Sequence, residues 1–181
     1  TMQDAAALSI DRLDASQAEG MLPELASLLH ACVHGGASVG FVLPFAVHEA
    51  EGFWREKILP AVRSGDRVLF VARQGAVLAR TVQLVVDMPP NQPHRAEVSK
   101  LLVGPGFRRR GLARSLMLAL EAEARMRGRS LITLDTRTGD SAEPLYAALG
   151  YAVSGVIPDF CRDPFDDRLD PTTVMYKRLE V

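Results

Sequence analysis

Apolar residues alternate with polar ones in some segments of the chain and recur every three to four residues in others, which predicts a mixture of strands and helices. Apolar and β-branched runs predict seven strands, at residues 4–13, 67–73, 76–87, 95–103, 131–134, 151–157 and 173–179. Helical spacing predicts four helices, at residues 16–32, 47–63, 111–127 and 140–148. This order of elements indicates one α/β domain, residues 2–181, built on a mixed sheet.

Two local patterns place strands within the predicted sheet. Gln74-Gly75 separates two β-rich runs, as a hairpin turn does, so the sheet is expected to begin with antiparallel strands. The run Leu131-Ile132-Thr133-Leu134 is nearly continuous in apolar residues, which is typical of a central strand covered on both faces. Asp135 stands at the carboxyl end of that predicted strand.

Composition and charge exclude several classes of protein. The 181 residues are 48% hydrophobic and 24% charged, an ordinary globular mixture. The formal net charge of -1 lacks the basic excess that phosphate-backbone binding requires, so we expect no nucleic-acid partner. No apolar run approaches the ~18 residues of a membrane span, and a secretory signal pattern is not seen, so we expect no membrane partner and a cytoplasmic location.

Cys32 and Cys161 are far apart in sequence, which favours two buried thiols over a disulfide framework or a zinc site. We therefore expect no metal. Neither cysteine comes with an arrangement of histidine and acidic residues that would support an acyl-enzyme mechanism. The same holds for Ser38, which follows the glycine pair Gly35-Gly36.

The strongest chemical signal is the segment from Leu101 to Ala113, in which a predicted strand runs through a glycine-rich turn into a helix. The free N–H groups and the positive dipole end of such a helix attract anions, and small residues let a phosphate approach the backbone. Three arginines, residues 108–110, add positive charge. The segment contains neither a Walker A motif nor the dinucleotide fingerprint, so ATP and NAD are not favoured.

Within this segment, Arg108-x-x-Gly111-x-Ala113 resembles the Arg/Gln-x-x-Gly-x-Gly/Ala signature of the GNAT superfamily of N-acetyltransferases. The resemblance implies the GNAT (acyl-CoA N-acyltransferase) fold, a mixed seven-stranded sheet flanked by about four helices. It also implies acetyl-CoA as co-substrate, and direct transfer of the acetyl group to an amine in a ternary complex.

The resemblance assigns cofactor-binding roles to particular positions. The backbone of Leu101, Leu102 and Val103 is expected to pair with the pantetheine arm of acetyl-CoA. Ser141 is expected to contact the rest of CoA. The pyrophosphate is expected on the amides of Arg108, Arg109, Arg110, Gly111, Leu112 and Ala113.

Six further segments, 33–41, 96–98, 100–101, 134–136, 168–169 and 171–172, resemble the tabtoxin-resistance acetyltransferases of the same superfamily. This resemblance implies a small acceptor, an amino acid-like toxin or antibiotic of the tabtoxinine-β-lactam type. Substrate contacts are then expected from His34, Gly35, Gly36 and Ser38. His34 has two other interpretations, a second base or a residue that caps a helix end.

The chemistry requires a base and an acid. A protonated amine cannot attack a thioester, so a carboxylate or an ordered water must remove a proton, and the departing thiolate requires one. Glu97 and Asp135 are the candidate bases, because partial burial on strands beside the cofactor would raise the pKa of a carboxyl group. Tyr146 is the candidate acid. A main-chain N–H near Val103 is expected to meet the oxyanion.

Several alternatives stay open at this point. The acceptor could instead be a polyamine or a peptide N-terminus, and the chain could be a non-catalytic sensor of acyl-CoA. We expect the acceptor to carry a carboxylate beside its amine, held by main-chain donors of the loop from Gly35 to Ser38. The oligomeric state is undecided between a monomer and a homodimer.

Overall fold

The computed structural model describes residues 8–107 and 111–181, and its sheet contains seven strands. Their bounds are β1 Leu8–Leu13, β2 Arg67–Gln74, β3 Val77–Val85, β4 Arg95–Val103, β5 Leu131–Arg137, β6 Ala152–Arg162 and β7 Leu169–Arg178. The strand order across the sheet is β1-β2-β3-β4-β5-β7-β6. The predicted seven-stranded mixed sheet is therefore confirmed.

The four predicted helices form six α-helical segments. They are α1 Ala15–Gly20, α2 Leu22–His34, α3 Val47–Phe53, α4 Leu59–Ser64, α5 Leu112–Met126 and α6 Ala142–Ala148. The first predicted helix breaks at Met21, just before Pro23 in the first turn of α2. The second contains a π-helical turn, Trp54–Ile58, because Pro60 has no N–H to continue the α-helical ladder.

Pairing in the sheet is antiparallel except at its centre, where β4 and β5 run parallel. The hairpin predicted at Gln74-Gly75 joins β2 and β3. β5 extends to Arg137, so Asp135 lies inside the strand rather than after its end. β6 is an edge strand that extends to Arg162, well beyond the predicted end at Ile157.

A hydrophobic core lies on each face of the sheet. On one face, Leu116 and Leu120 of α5 pack with Ile132 of β5. On the other face, Leu25 and Leu29 of α2 pack with residues of β1 to β4 and with Trp54 of the π-helical turn. α5 suits this position because its apolar residues recur at helical spacing, and burying one such leucine contributes about 1.5–3 kcal/mol. β4 lies between the two cores, with Val98 in the first and Leu102 in the second.

Candidate active site

The candidate site is the cleft between β4 and β5. These parallel strands are paired only where Arg95–Glu97 meets Leu131–Thr133. Beyond Glu97 and Thr133 the two strands separate, although β4 continues to Val103 and β5 to Arg137. The opening is a cleft of about 800 Å³. Backbone groups on the β5 side of β4 can therefore bond to a ligand instead of a strand.

An irregularity in β4 accompanies this opening. Lys100 has a φ of 53°, a left-handed conformation that a non-glycine residue adopts at a cost of about 1–3 kcal/mol. At the same place the register between β3 and β4 shifts, between Thr81 and Gln83. A bulge of this kind bends the strand and re-aims its side chains. Here it directs Lys100 into the cleft.

The cleft divides into two ends. At one end lie residues of the glycine-rich turn and of the starts of α5 and α6, including Val103, Gly111, Ala113, Arg114, Gly139, Ser141 and Ala142. At the other end lie the loop after α2 and residues of β5, β6 and β7, including Gly36, Ser38, Gly40, Asp135, Cys161 and Thr172. Leu101, Leu102 and Tyr146 also line the cleft, whereas Leu112 is buried in the core behind it.

The turn after β4 is built to approach the backbone of β3 closely. The Gly104 N–H donates to the Ala79 carbonyl at 2.9 Å, and a Cβ on Gly104 would lie 3.1 Å from that oxygen. Arg80, only 2% exposed, donates to the Phe107 carbonyl. These contacts fix the turn that leads into α5. Arg108, Arg109 and Arg110 lie outside the described residues.

The start of α5 has the features that a phosphate group requires. Gly111 precedes the helix with a φ of 71°, and a Cβ built on it would project into open space with no atom within 4 Å. The Ser115 N–H is bonded to the Gly111 carbonyl, so the amides of Leu112 to Arg114 precede the helical ladder. The donors and the space on this side of the cleft therefore fit the pyrophosphate of CoA.

Asp135 and Tyr146 are brought together in the cleft. The Asp135 carboxylate accepts a hydrogen bond from the Thr172 hydroxyl at 2.9 Å, but it is exposed in the cleft, so the partial burial expected for it is wrong. Tyr146 is 4% exposed. Burial raises the pKa of the Tyr146 phenol, and the negative charge of Asp135 raises it further. The phenol therefore keeps its proton at neutral pH.

Glu97 and His34 are not among the described residues that line this cleft. The Glu97 side chain is 46% exposed and forms an ion pair with Arg95 at 2.7 Å, so the partial burial expected for it is slight. The His34 ring donates to the Phe45 carbonyl at 2.9 Å and lies 4.1 Å from the His30 ring. His34 is the last residue of α2, but its ring bonds to Phe45 rather than to a carbonyl of the helix itself.

The main-chain N–H groups expected to bind the acceptor, in the loop after α2, are hydrogen-bonded to the end of that helix. The N–H groups of Gly35, Gly36 and Ala37 donate to carbonyls at the end of α2, at 2.9, 3.0 and 3.0 Å. They terminate the helix, whose carbonyl end is negative. The expectation that this loop binds an acceptor carboxylate through these amides is wrong for all three.

Two basic residues of this end were not singled out from the sequence. Arg137 donates to the Gly36 carbonyl and to Asp140, both at 2.9 Å, and lies 3.7 Å from carboxylate oxygens of Asp163 and Asp170. It therefore holds the loops around the cleft together. The second basic residue is Lys100. Its left-handed backbone at the β4 bulge could not be predicted, because no local sequence pattern marks it.

Burial lowers the pKa of the Lys100 ammonium, and the positive charge of Arg67 lowers it further. The negative charge of Asp135 opposes this shift. The Lys100 Nζ donates to the Val39 carbonyl at 2.5 Å and lies 5.7 Å from the centre of the Phe41 ring. Lys100 and Asp135 therefore interact electrostatically within the cleft.

Comparison with known proteins identifies the family. The model of the Acetyltransferase (GNAT) family matches residues 27–151. An uncharacterized N-acetyltransferase from the hisH-hisA intergenic region of Azospirillum brasilense is 32% identical over 139 residues, which cover 76% of this chain and 80% of the relative. The chain belongs to the GNAT family of acetyltransferases. It is an acetyl-CoA-dependent N-acetyltransferase.

Solved structures share the fold. The yncA protein of Salmonella typhimurium, determined with its cofactor acetyl-CoA, has a TM-score of 0.74 at 18% identity and covers 96% of this chain and 95% of its own. A ribosomal-protein-alanine N-acetyltransferase from Brucella melitensis has a TM-score of 0.75 at 18% identity, covering 94% and 99%. The expected GNAT fold is confirmed.

Two expected absences can be examined over residues 8–107 and 111–181. Among these residues no group of three or more histidine, cysteine, aspartate or glutamate side chains is arranged to hold a metal ion. None of the helices in the same part of the chain is long and apolar enough to span a membrane.

Proposed function

We propose that this acetyltransferase acts on a small zwitterionic amine, an amino acid-like toxin or antibiotic of the tabtoxinine-β-lactam type. The observation that carries the proposal is the acceptor end of the cleft, where the Asp135 carboxylate and the Lys100 ammonium face the same space. An amino acid presents an amine and a carboxylate to such a pair of charges. The resemblance to tabtoxin-resistance acetyltransferases supports the same class of acceptor.

Acetyl-CoA, in this proposal, enters between the separated strands. Its pantetheine arm bonds to the free backbone edge of Leu101 to Val103, and its pyrophosphate lies against the Gly111 end of α5. Ser141, which precedes α6, contacts the rest of CoA. This placement points the thioester toward the acceptor end of the cleft, so that both substrates meet there.

Asp135 is the general base that we propose for the reaction. The amine of a free amino acid has a pKa well above 7 and is therefore mostly protonated at neutral pH. Asp135 removes that proton, and the amine nitrogen then adds to the thioester carbonyl carbon to form a tetrahedral oxyanion. As the oxyanion collapses, the bond from carbon to sulfur breaks and the second proton of the nitrogen passes to the departing sulfur, which leaves as the CoA thiol. The exposed carboxylate in the cleft supports this role for Asp135. Glu97 lies outside the cleft in an ion pair with Arg95, and we propose that it contributes its charge but transfers no proton.

Tyr146 stabilises the departing thiolate. A thiol has a pKa near 8.5, far below that of a buried phenol, so complete proton transfer from Tyr146 would be uphill. Donation of a hydrogen bond to the sulfur fits this order of pKa values better. The N–H of Val103 or a neighbour meets the oxyanion that forms on the carbonyl.

The acceptor distinguishes this proposal from its alternatives. A polyamine has no carboxylate and would leave Lys100 facing a second cation. The Brucella melitensis protein acts, by its name, on an alanine of a ribosomal protein, but at 18% identity it shares the fold alone. A sensor of acyl-CoA would bind the cofactor without releasing CoA.

A thiol-release assay with acetyl-CoA tests the function. The acceptors are pairs of an amino acid and its decarboxylated amine: L-lysine with cadaverine, L-ornithine with putrescine, and L-phenylalanine with phenethylamine, together with tabtoxinine-β-lactam. We expect release of CoA with an amino acid and little with its partner amine. No release with any acceptor would support the sensor, and faster release with the diamines would support the polyamine enzyme.

We further propose that two copies pair along β6. This edge strand carries the exposed apolar side chains of Val153, Val156, Ile157 and Phe160. Edge strands of this length are normally covered or charged. Light scattering in solution should give twice the monomer mass, and Val156→Lys should return the monomer. A monomeric mass for the unmodified protein would overturn this assembly.

A further inference from the structure

Lys100 is a half-buried cation to which the sequence motifs assign no role. Its ammonium has three N–H donors. One donates to the Val39 carbonyl at 2.5 Å, and the rings of Phe41 and Phe53 lie 5.7 and 5.6 Å from Nζ. None of the ion pairs among the described residues includes Lys100. The remaining donors are therefore available to a ligand.

The other cations of the cleft are committed elsewhere. Arg137 is surrounded by three carboxylates and the Gly36 carbonyl. Arg80 is buried and bonded to the Phe107 carbonyl of the glycine-rich turn. Arg114 lies in the first turn of α5, at the CoA end. Lys100 alone among the described cations that line the cleft stands at the acceptor end without a carboxylate partner.

We propose that Lys100 is the specificity residue that binds the carboxylate of the acceptor while Asp135 receives its amine. This inference rests on the proposed function and names the residue that selects the substrate. The β4 bulge turns Lys100 into the cleft, and the aromatic rings and Val39 limit its motion. A zwitterion held at both ends presents its amine to the thioester in one orientation, which is a major source of rate.

The negative end of the α2 dipole also favours Lys100 as the site for the acceptor carboxylate. The carbonyls that end α2 accept from Gly35 to Ala37, so the helix dipole there disfavours a carboxylate. A carboxylate placed near Lys100 instead offsets the burial of the ammonium. A ligand with an amine alone would place a second positive charge near Lys100 and Arg67.

The test is Lys100→Met, assayed with L-lysine and cadaverine, L-ornithine and putrescine, and L-phenylalanine and phenethylamine. Methionine keeps the length of the side chain and adopts the left-handed backbone at a similar cost, so the substitution removes mainly the charge. We expect the preference for amino acid over amine, as a ratio of kcat/KM values, to fall by about 10- to 100-fold, as for one charged hydrogen bond. Lys100→Arg should restore part of the preference.

Two controls separate recognition from folding. Lys57→Met makes the same change at an exposed lysine of the π-helical turn and should leave the preference for amino acid over amine unchanged. Calorimetry with acetyl-CoA should show that Lys100→Met still binds the co-substrate. Equal losses on the amino acid and the amine would overturn the inference and make Lys100 a structural residue. No release of CoA with any acceptor would instead overturn the proposed function, and the inference with it.

Discussion

Removing the Tyr146 hydroxyl tests how the thiolate leaves. Tyr146→Phe keeps a ring that is 4% exposed and stacks edge to face on Tyr151 with centroids 5.7 Å apart. The phenol lies in the cleft and its raised pKa keeps it protonated, so the substitution deletes one donor to a developing negative charge. Such a hydrogen bond contributes about 1.5–3 kcal/mol, which corresponds to a loss of kcat of about 10- to 150-fold.

The assay is steady-state release of CoA at saturating acetyl-CoA, with binding of acetyl-CoA measured separately. Tyr151→Phe is the matched control, because Tyr151 is buried beside Tyr146 but is not among the described residues that line the cleft. An unchanged kcat for Tyr146→Phe would refute the role. A loss above about 10³-fold would indicate full proton transfer and contradict the pKa argument.

The pH dependence follows from the same shift. Burial raises the folded-state pKa of Tyr146 above the ordinary value near 10, so the alkaline limb of kcat should not report this group below about pH 10. The stability that the neutral phenol contributes is complete below the unfolded pKa. It decreases as the pH rises above about 10, because the unfolded chain then releases the proton first. Tyr146→Phe should lessen this alkaline loss in a urea-unfolding series.

The base and the cofactor site give two further predictions. Asp135→Asn should lower kcat/KM by about 10²- to 10⁴-fold, whereas Glu97→Gln should lower it far less, and equal losses would mean that the cleft does not select the base. Gly111→Asn tolerates the left-handed backbone but fills the space before α5, so acetyl-CoA binding by calorimetry should be lost. Gly128, at the other end of α5, has a φ of 69°, and Gly128→Asn should bind acetyl-CoA normally. Full binding of acetyl-CoA by both variants would contradict the placement of the pyrophosphate.

The sequence predicted the sheet well because local patterns determine it. Continuous apolar runs and the turn at Gln74-Gly75 mark strands that later pair as expected. The helix boundaries were less predictable. The break at Met21 and the π-helical turn Trp54–Ile58 lie just before Pro23 and Pro60, and the spacing of apolar residues alone continues through both positions.

The site was predictable where a motif marks it, as at Gly111, and where a polar residue comes directly after an apolar run, as at Asp135, although that residue lies inside β5. It was not predictable where position depends on tertiary contacts. Glu97 and Asp135 look alike in sequence, yet Asp135 lines the cleft whereas Glu97 pairs with Arg95, because β4 and β5 separate just beyond Glu97. Lys100 reaches the cleft through a bulge that depends on the pairing of β3 with β4.

The most direct test of this account is the rate of CoA release with matched acceptors. With acetyl-CoA fixed, an amino acid and its decarboxylated amine should be compared on the unmodified enzyme across the three pairs. The account predicts a higher kcat/KM for at least one amino acid than for its amine, because Asp135 and Lys100 each bind one end of the zwitterion. Equal or faster reaction of every decarboxylated amine would contradict it.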